Sequence, residues 1–266
     1  MDSDNLPKFD NPPVIEVVFG IQFKELKKLS APYTGLFWEF LEKQEYPGFE
    51  LRAGLNHIIE TYNGNPSIPP SISFFGDIPP LPRILFISKE QNNVIQLQSD
   101  RFLQNWRKMG SGDVYPSFED LFPKFLTMFK QFNKFLEHEK LGKLEVDQYE
   151  LTYINHIPIS ILEDGLASIE KIFPDFKCTA GDAFLPIPEV ISWLKVYKLP
   201  ENKGRLRIST KQATKTTGEE ILVLELTARG FEPQLEPWFN LAHEWIVKGF
   251  EEITSAKLQK EVWRKK

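Results

Sequence analysis

The chain has one cysteine, Cys178, three methionines and four histidines in 266 residues. A single cysteine excludes an intramolecular disulfide and cannot alone build a structural zinc site, which points to a reducing compartment. The histidines, at positions 57, 138, 156 and 243, have no metal-ligand spacing, and His138-Glu139 and His243-Glu244 lack the second histidine of a metalloprotease helix. Neither a metal nor a cofactor is expected. Basic residues are also short, with a net charge of −5 and no basic half. A duplex binder relying on phosphate contacts would carry a positive stripe, so nucleic acid is not an expected partner. The one basic concentration, Lys257 to Lys266, reads as a solvated helix end. No uncharged apolar run approaches the roughly 20 residues of a membrane span, and the acidic start Met1-Asp2-Ser3-Asp4-Asn5 is unlike a secretory signal. The expectation is a cytoplasmic protein without a membrane partner.

No nucleophile elbow and no complete phosphate loop occur. Gly110-Ser111-Gly112-Asp113 lacks the Lys-Ser/Thr of a P-loop and reads as a helix entry, and Cys178 has no histidine near it in sequence.

What is abundant is phenylalanine, with 22 residues, and proline, with 20. Phe118, Phe122, Phe125, Phe129, Phe132 and Leu136 recur at helical spacing behind a Ser117/Asp120 capping box, which predicts a long amphipathic helix ending near Gly142. A second long helix is expected from Pro237, carrying Trp238, Leu241, Ala242, Trp245, Ile246, Phe250 and Ile253, followed by a short one capped by Thr254 or Ser255. Ser30 should cap a helix over 31–43 with Leu36, Phe37, Phe40 and Leu41 on one face. Ser160 and Glu163 should open another through Leu162, Leu166, Ile169 and Phe173. Strands are expected over 14–23, 50–60, 83–88, 94–107, 144–157, 190–199, 205–213 and 220–228. The proline-rich stretch 62–82 should form a surface loop, with a short strand near Ile72–Phe75.

Set in order, 1–142 and 143–266 each read strand, helix, three strands, long helix. The fold class is therefore α+β: antiparallel sheet with long helices packed on one face, in two pseudo-repeated β-α-β-β-β-α units or one continuous domain.

The most unusual segment is 96–107. Read as one strand, it places Arg101, Asn105 and Arg107 on one side and Gln96, Gln98, Asp100, Gln104 and Trp106 on the other, so neither side is apolar. Such a strand lies at an edge, forms a polar network or binds something. Asn155 and His156, and Arg229 after Leu226-Thr227-Ala228, share this character. The candidate binding residues are thus Gln98, Asp100, Arg101, Asn105, Trp106, Arg107, Asn155, His156 and Arg229, with no catalytic residue assigned.

Pro12-Pro13-Val14-x-Glu16-Val17, Asp100-Arg101-Phe102-x-x-Asn105-Trp106-Arg107, Tyr153-x-Asn155-His156-Ile157, Leu226-Thr227-Ala228-Arg229-Gly230 and Glu244-Trp245-Ile246-Val247 together resemble a sporadically distributed bacterial family of about 250–270 residues with no assigned activity. The resemblance spans nearly the whole chain. It departs at Glu261-Val262-Trp263-Arg264, where that family's last helix would carry a histidine. The reading that follows is a non-enzymatic binding protein, an antitoxin, immunity or regulatory partner of another protein, or a homodimer. Its rival is a small-ligand-binding protein or enzyme with an anion pocket between sheet and helices. There Arg101, Arg107 and Arg229 would anchor the anion and His156 would serve as acid or base.

Overall fold

The computed structural model describes residues 6–56, 58–60, 81–176 and 184–266. The expected strand at Ile72–Phe75, nearly all of the loop 62–82, His57 and Cys178 lie outside them. Among the described residues nine strands form one antiparallel sheet. They are β1 (Val14–Phe23), β2 (Gly48–Arg52), β3 (Arg83–Ile87), β4 (Asn93–Gln98), β5 (Arg101–Arg107), β6 (Val146–Pro158), β7 (Ser192–Lys198), β8 (Gly204–Thr214) and β9 (Glu220–Gly230). Their order is β2-β3-β4-β5-β1-β6-β9-β8-β7, so β1 and β6 pair at the centre. The helices are α1 (Ala31–Phe40), α2 (Phe118–His138), α3 (Leu235–Ile253) and α4 (Ala256–Glu261). The class is mixed α+β.

Strand alternation gives the sheet two unlike faces. On β1, Val17, Phe19, Ile21 and Phe23 point one way and are buried. Phe19 lies 5.9 Å from Phe122, 5.3 Å from Phe125 of α2, and 5.8 Å from Phe239 of α3, ring centre to ring centre. The phenylalanine surplus is thus spent on one aromatic core. Glu16, Val18, Gly20 and Gln22 point the other way, onto a polar face.

The capping box forms as its sequence dictates: Asp120 N–H donates to Ser117 Oγ, and the Asp120 carboxylate accepts from the Ser117 N–H. Ser117→Ala should cost about 1 kcal/mol in urea unfolding, and an unchanged midpoint would contradict that role.

Four expectations need correction. The 94–107 strand is two, because Ser99 and Asp100 turn the chain and set Gln98 opposite Arg101. The strand expected over 50–60 ends at Arg52; beyond it, among the described residues, 54–56 and 58–60 lie over the polar face without strand structure. On α1, Phe37 is buried but Leu36 and Phe40 are 46% and 38% exposed, so the four apolar residues do not share one buried face. The helix expected after Ser160 is only short 3-10 turns over Ile159–Ile161 and Gly165–Lys171. Gly165 there takes a left-handed φ of +56° and Ser168 leaves helical geometry, yet Leu162, Leu166, Ile169 and Phe173 still reach the core.

At one end of the β8–β9 pair, Gly204 and Gly230 stand opposite each other, and a Cβ on Gly230 would lie 1.9 Å from the Lys203 carbonyl. Only glycine permits that approach. It brings Arg205 of β8 opposite Arg229 of β9, on the polar face.

Candidate functional site

The first candidate site is a cavity of about 560 Å3 between the first turn of α2, the middle of α3 and strands β1, β6 and β9, closed on one side by residues 6–9. Much of its wall is apolar, including Phe118, Ile246 and Phe250. Its polar lining is Tyr115, Ser117, Tyr153, Asn155 and His243, together with the charged and exposed Lys8, Glu119 and Lys266. The Tyr115 and Tyr153 hydroxyls are 2.9 Å apart. The His243 imidazole lies flat on Phe118, centroids 4.1 Å apart at 5°.

Burial decides the protonation states here. It pushes the Tyr115 and Tyr153 hydroxyls well above the ordinary phenol range. It holds His243 down to about 4, against the opposing charge of Glu119. At neutral pH the site therefore presents a neutral imidazole, two protonated phenols and an amide, with the charged Lys8, Glu119 and Lys266 on its exposed lining. Asn155 Nδ2 donates to the Leu224 carbonyl at 3.1 Å. The nearby Ser117 hydroxyl is taken up by Asp120 at 3.0 Å, so it is not poised as a nucleophile for His243. Hydrogen bonding and ring stacking are what this arrangement supplies.

The depressed His243 pKa fixes a stability trend. Between about pH 6.5 and 4 the unfolded chain binds a proton at this histidine and the folded protein does not, so its contribution is fully present above 6.5 and is lost as pH falls. The loss should be up to about 1.4 kcal/mol per pH unit in that window. Subtracting the curve of His243→Phe from that of the native sequence should isolate this slope; parallel curves would show that His243 is not held neutral.

The second candidate region is the polar face. Gln98 exchanges hydrogen bonds with the backbone of Leu55, Arg101 donates to the Asn56 carbonyl at 2.9 Å, and Gln148 holds Ile58 and Glu60. The segment ends at Glu60, 1% exposed, whose carboxylate accepts from Arg207 Nε at 2.6 Å and Arg205 Nη1 at 3.1 Å. Burial pushes the Glu60 carboxyl up, but Arg207 and then Arg205 outweigh it and hold it below its usual range. Arg229 Nε donates to Glu150 at 2.5 Å.

The nine sequence-predicted residues do not form one cluster. Gln98, Arg101, Asn105, Arg107, His156 and Arg229 all point to the polar face. Gln96 and Gln98 join the arginines there, contrary to the single-strand reading, because the turn at Ser99-Asp100 folds β4 back beside β5. Asp100 sits in that turn and accepts from Gln98 at 2.8 Å. Along the face they separate: Arg101 is 4% exposed under Asn56, whereas Arg107 donates to the Gln91 carbonyl at 2.8 Å. Asn105 Nδ2 donates to Glu16 and Oδ1 accepts from Gln96 at 2.7 Å. His156 stands apart; burial and then Lys215 lower its pKa. Trp106 and Asn155 face the other way, Asn155 into the cavity and Trp106 against Tyr115 at 5.7 Å.

Sequence reasoning missed Glu60, Arg205, Arg207 and Glu150, and considered His243 only as a metal ligand. Arg205-x-Arg207 was legible as polar alternation on one strand, whereas Glu60 meets them from 145 residues away. Among the described residues no group of three or more His, Cys, Asp or Glu is placed to hold a metal ion, and no helix is long and apolar enough to cross a membrane.

No protein-family model matches the chain, and no curated protein is significantly similar to it.

Proposed function

We propose that the protein is a non-enzymatic binding protein whose ligand is a small, neutral, flat molecule seated in the cavity beside α3. The observation that carries this reading is the pairing of a mainly apolar cavity of about 560 Å3 with uncharged hydrogen-bonding groups at Tyr115, Tyr153, Asn155 and His243. Ligand sites are commonly concave, apolar and equipped with a few convergent polar groups. A charged ligand seated among Tyr153, Asn155 and His243 would lose its hydration against groups held neutral, since the charged lining residues Lys8, Glu119 and Lys266 are exposed. The site thus keeps the sheet-and-helix location of the rival reading and drops its anion, since Arg101, Arg107 and Arg229 lie on the opposite face.

The test is a calorimetric titration with 2-naphthol and with 2-naphthoate, which share a ring system and differ in charge. 2-Naphthol should bind at least about tenfold more tightly. Equal affinities, or tighter naphthoate binding, would refute a neutral site.

A second reading, in which the partner is another protein or a second copy of the chain, rests on a different observation. Phe49 and Leu51 on the edge strand β2 are 53% and 58% exposed, and Phe49 lies 5.8 Å from Trp38 of α1, a helix whose Leu36 and Phe40 are exposed too; exposed apolar groups of this kind often mark contact surfaces. An antitoxin, immunity or regulatory role would use this surface; light scattering distinguishes a dimer from a monomer awaiting a partner. We infer also that the β1–β6 pair joins two pseudo-repeated units with both long helices on the Phe19 face. The order β1-β5-β4-β3 on one side and β6-β9-β8-β7 on the other supports it.

A further inference from the structure

We propose that the cleft on the polar face over β7, β8 and β9 is a second binding site, for a small zwitterion whose carboxylate sits on Arg229 and whose ammonium sits on Glu225. The cleft has a volume of about 500 Å3. Glu225, Thr227 and Arg229 alternate along β9 and so line it from one face. Ile58 and Leu194 form apolar walls, and Ile58 is held in place by the Gln148 side chain.

The two charges are incompletely used. Arg229 commits Nε to Glu150, and its terminal nitrogens have no hydrogen-bond partner among the described residues. A guanidinium has five donors in a fork that matches a carboxylate. Glu225 accepts the Thr227 hydroxyl at 3.0 Å and has no cation within ion-pair distance among the described residues. Both are half-buried, where a charge without a partner is costly.

The cleft is also polarised. Arg229 stands at one end of the lining stretch of β9 and Glu225 at the other, and Arg207 of β8, held by Glu60, lines the cleft beside them. An anion alone would meet the acidic end and a cation alone the basic end. A molecule with both satisfies each, and four residues of β9, about 13 Å of strand, separate the two Cα atoms before the side chains lean inward. A free amino acid or a short peptide has that chemistry.

Calorimetry with glycylglycine, N-acetylglycylglycine and glycylglycinamide tests this without altering the protein. The account predicts a Kd for glycylglycine of about 1 mM or below and at least about tenfold weaker binding of each single-charge analogue. Glu225→Gln should abolish the advantage of glycylglycine over its acetylated form while leaving the melting temperature near that of the native sequence, since Glu225 makes no ion pair among the described residues. Arg229→Lys, which keeps a cation for Glu150 and loses the fork, should weaken both carboxylate-bearing peptides about equally. Binding of the acetylated or amidated peptide equal to that of glycylglycine, absence of heat with all three up to about 10 mM, or a native-like preference in Glu225→Gln would overturn the proposal.

Discussion

Phe125→Ala should destabilise the protein by about 3–5 kcal/mol, a large share of the 5–15 kcal/mol typical of a folded domain. Phe125 is 0% exposed and touches Phe19 of β1, Phe122 of its own helix and Phe239 of α3, at 5.3, 6.3 and 5.2 Å. Truncating it removes a ring from the place where the sheet and the two long helices share contacts, and rings held on three sides cannot collapse into the void. Lys130 on the same helix is exposed, and Lys130→Ala should change stability by less than about 0.5 kcal/mol. Urea unfolding of both variants checks the pair. Similar small losses at both positions would show that α2 does not present its phenylalanines to the sheet.

Glu60→Gln should cost a comparable 3–5 kcal/mol, by a different mechanism. Glu60 is fully buried against the buried Arg205 and the part-buried Arg207, and removing its charge takes one carboxylate from each of these guanidiniums. The loss should be nearly independent of salt, because buried pairs are screened far less than exposed ones. The depressed pKa of Glu60 gives the same interaction a pH signature. Its stabilisation is present above the unfolded carboxyl value of about 4.5 and is lost as pH falls through the lower folded value. In Glu60→Gln that acid-side loss should disappear. Limited proteolysis gives an independent reading: residues 53–60 should be cut faster in the variant, because Glu60 anchors the end of the segment that crosses the polar face. A variant as stable and as resistant as the native sequence would mean that the arginines do not depend on Glu60.

How much of this was legible in the sequence depended on distance. Local signals were decisive where the interaction is local: the Ser117 capping box, the phenylalanine stripe of α2 and the alternation in β8 and β9 each follow from residues a few positions apart. The 96–107 segment shows the limit. Its polar pattern was plain, but two strands with a tight turn and one continuous strand differ only in whether Ser99-Asp100 bends, and that choice decides which side Gln96 and Gln98 take. The helix expected after Ser160 had the right apolar spacing, and burial followed that spacing even though Gly165 broke the helix. The cavity was the least legible part. Tyr115 precedes α2, Tyr153 is on β6 and His243 on α3, up to 128 residues apart, and nothing in the local sequence distinguishes a histidine that faces a cavity from one that faces packing. Glu60 was hidden for the same reason, since its partners lie on β8, next to the edge strand β7 in the other half of the sheet.

The measurement that bears most directly on the central claim is a calorimetric titration of 2-naphthol into the native protein and into Val247→Trp. Val247 lines the cavity and is half-buried, so an indole there fills the space without displacing the core. With the fold confirmed by an unchanged melting temperature, the account predicts that the substitution weakens binding by at least about 100-fold, equivalent to about 2.7 kcal/mol. The same affinity in both proteins would place the ligand elsewhere and contradict the assignment of the cavity beside α3 as the binding site.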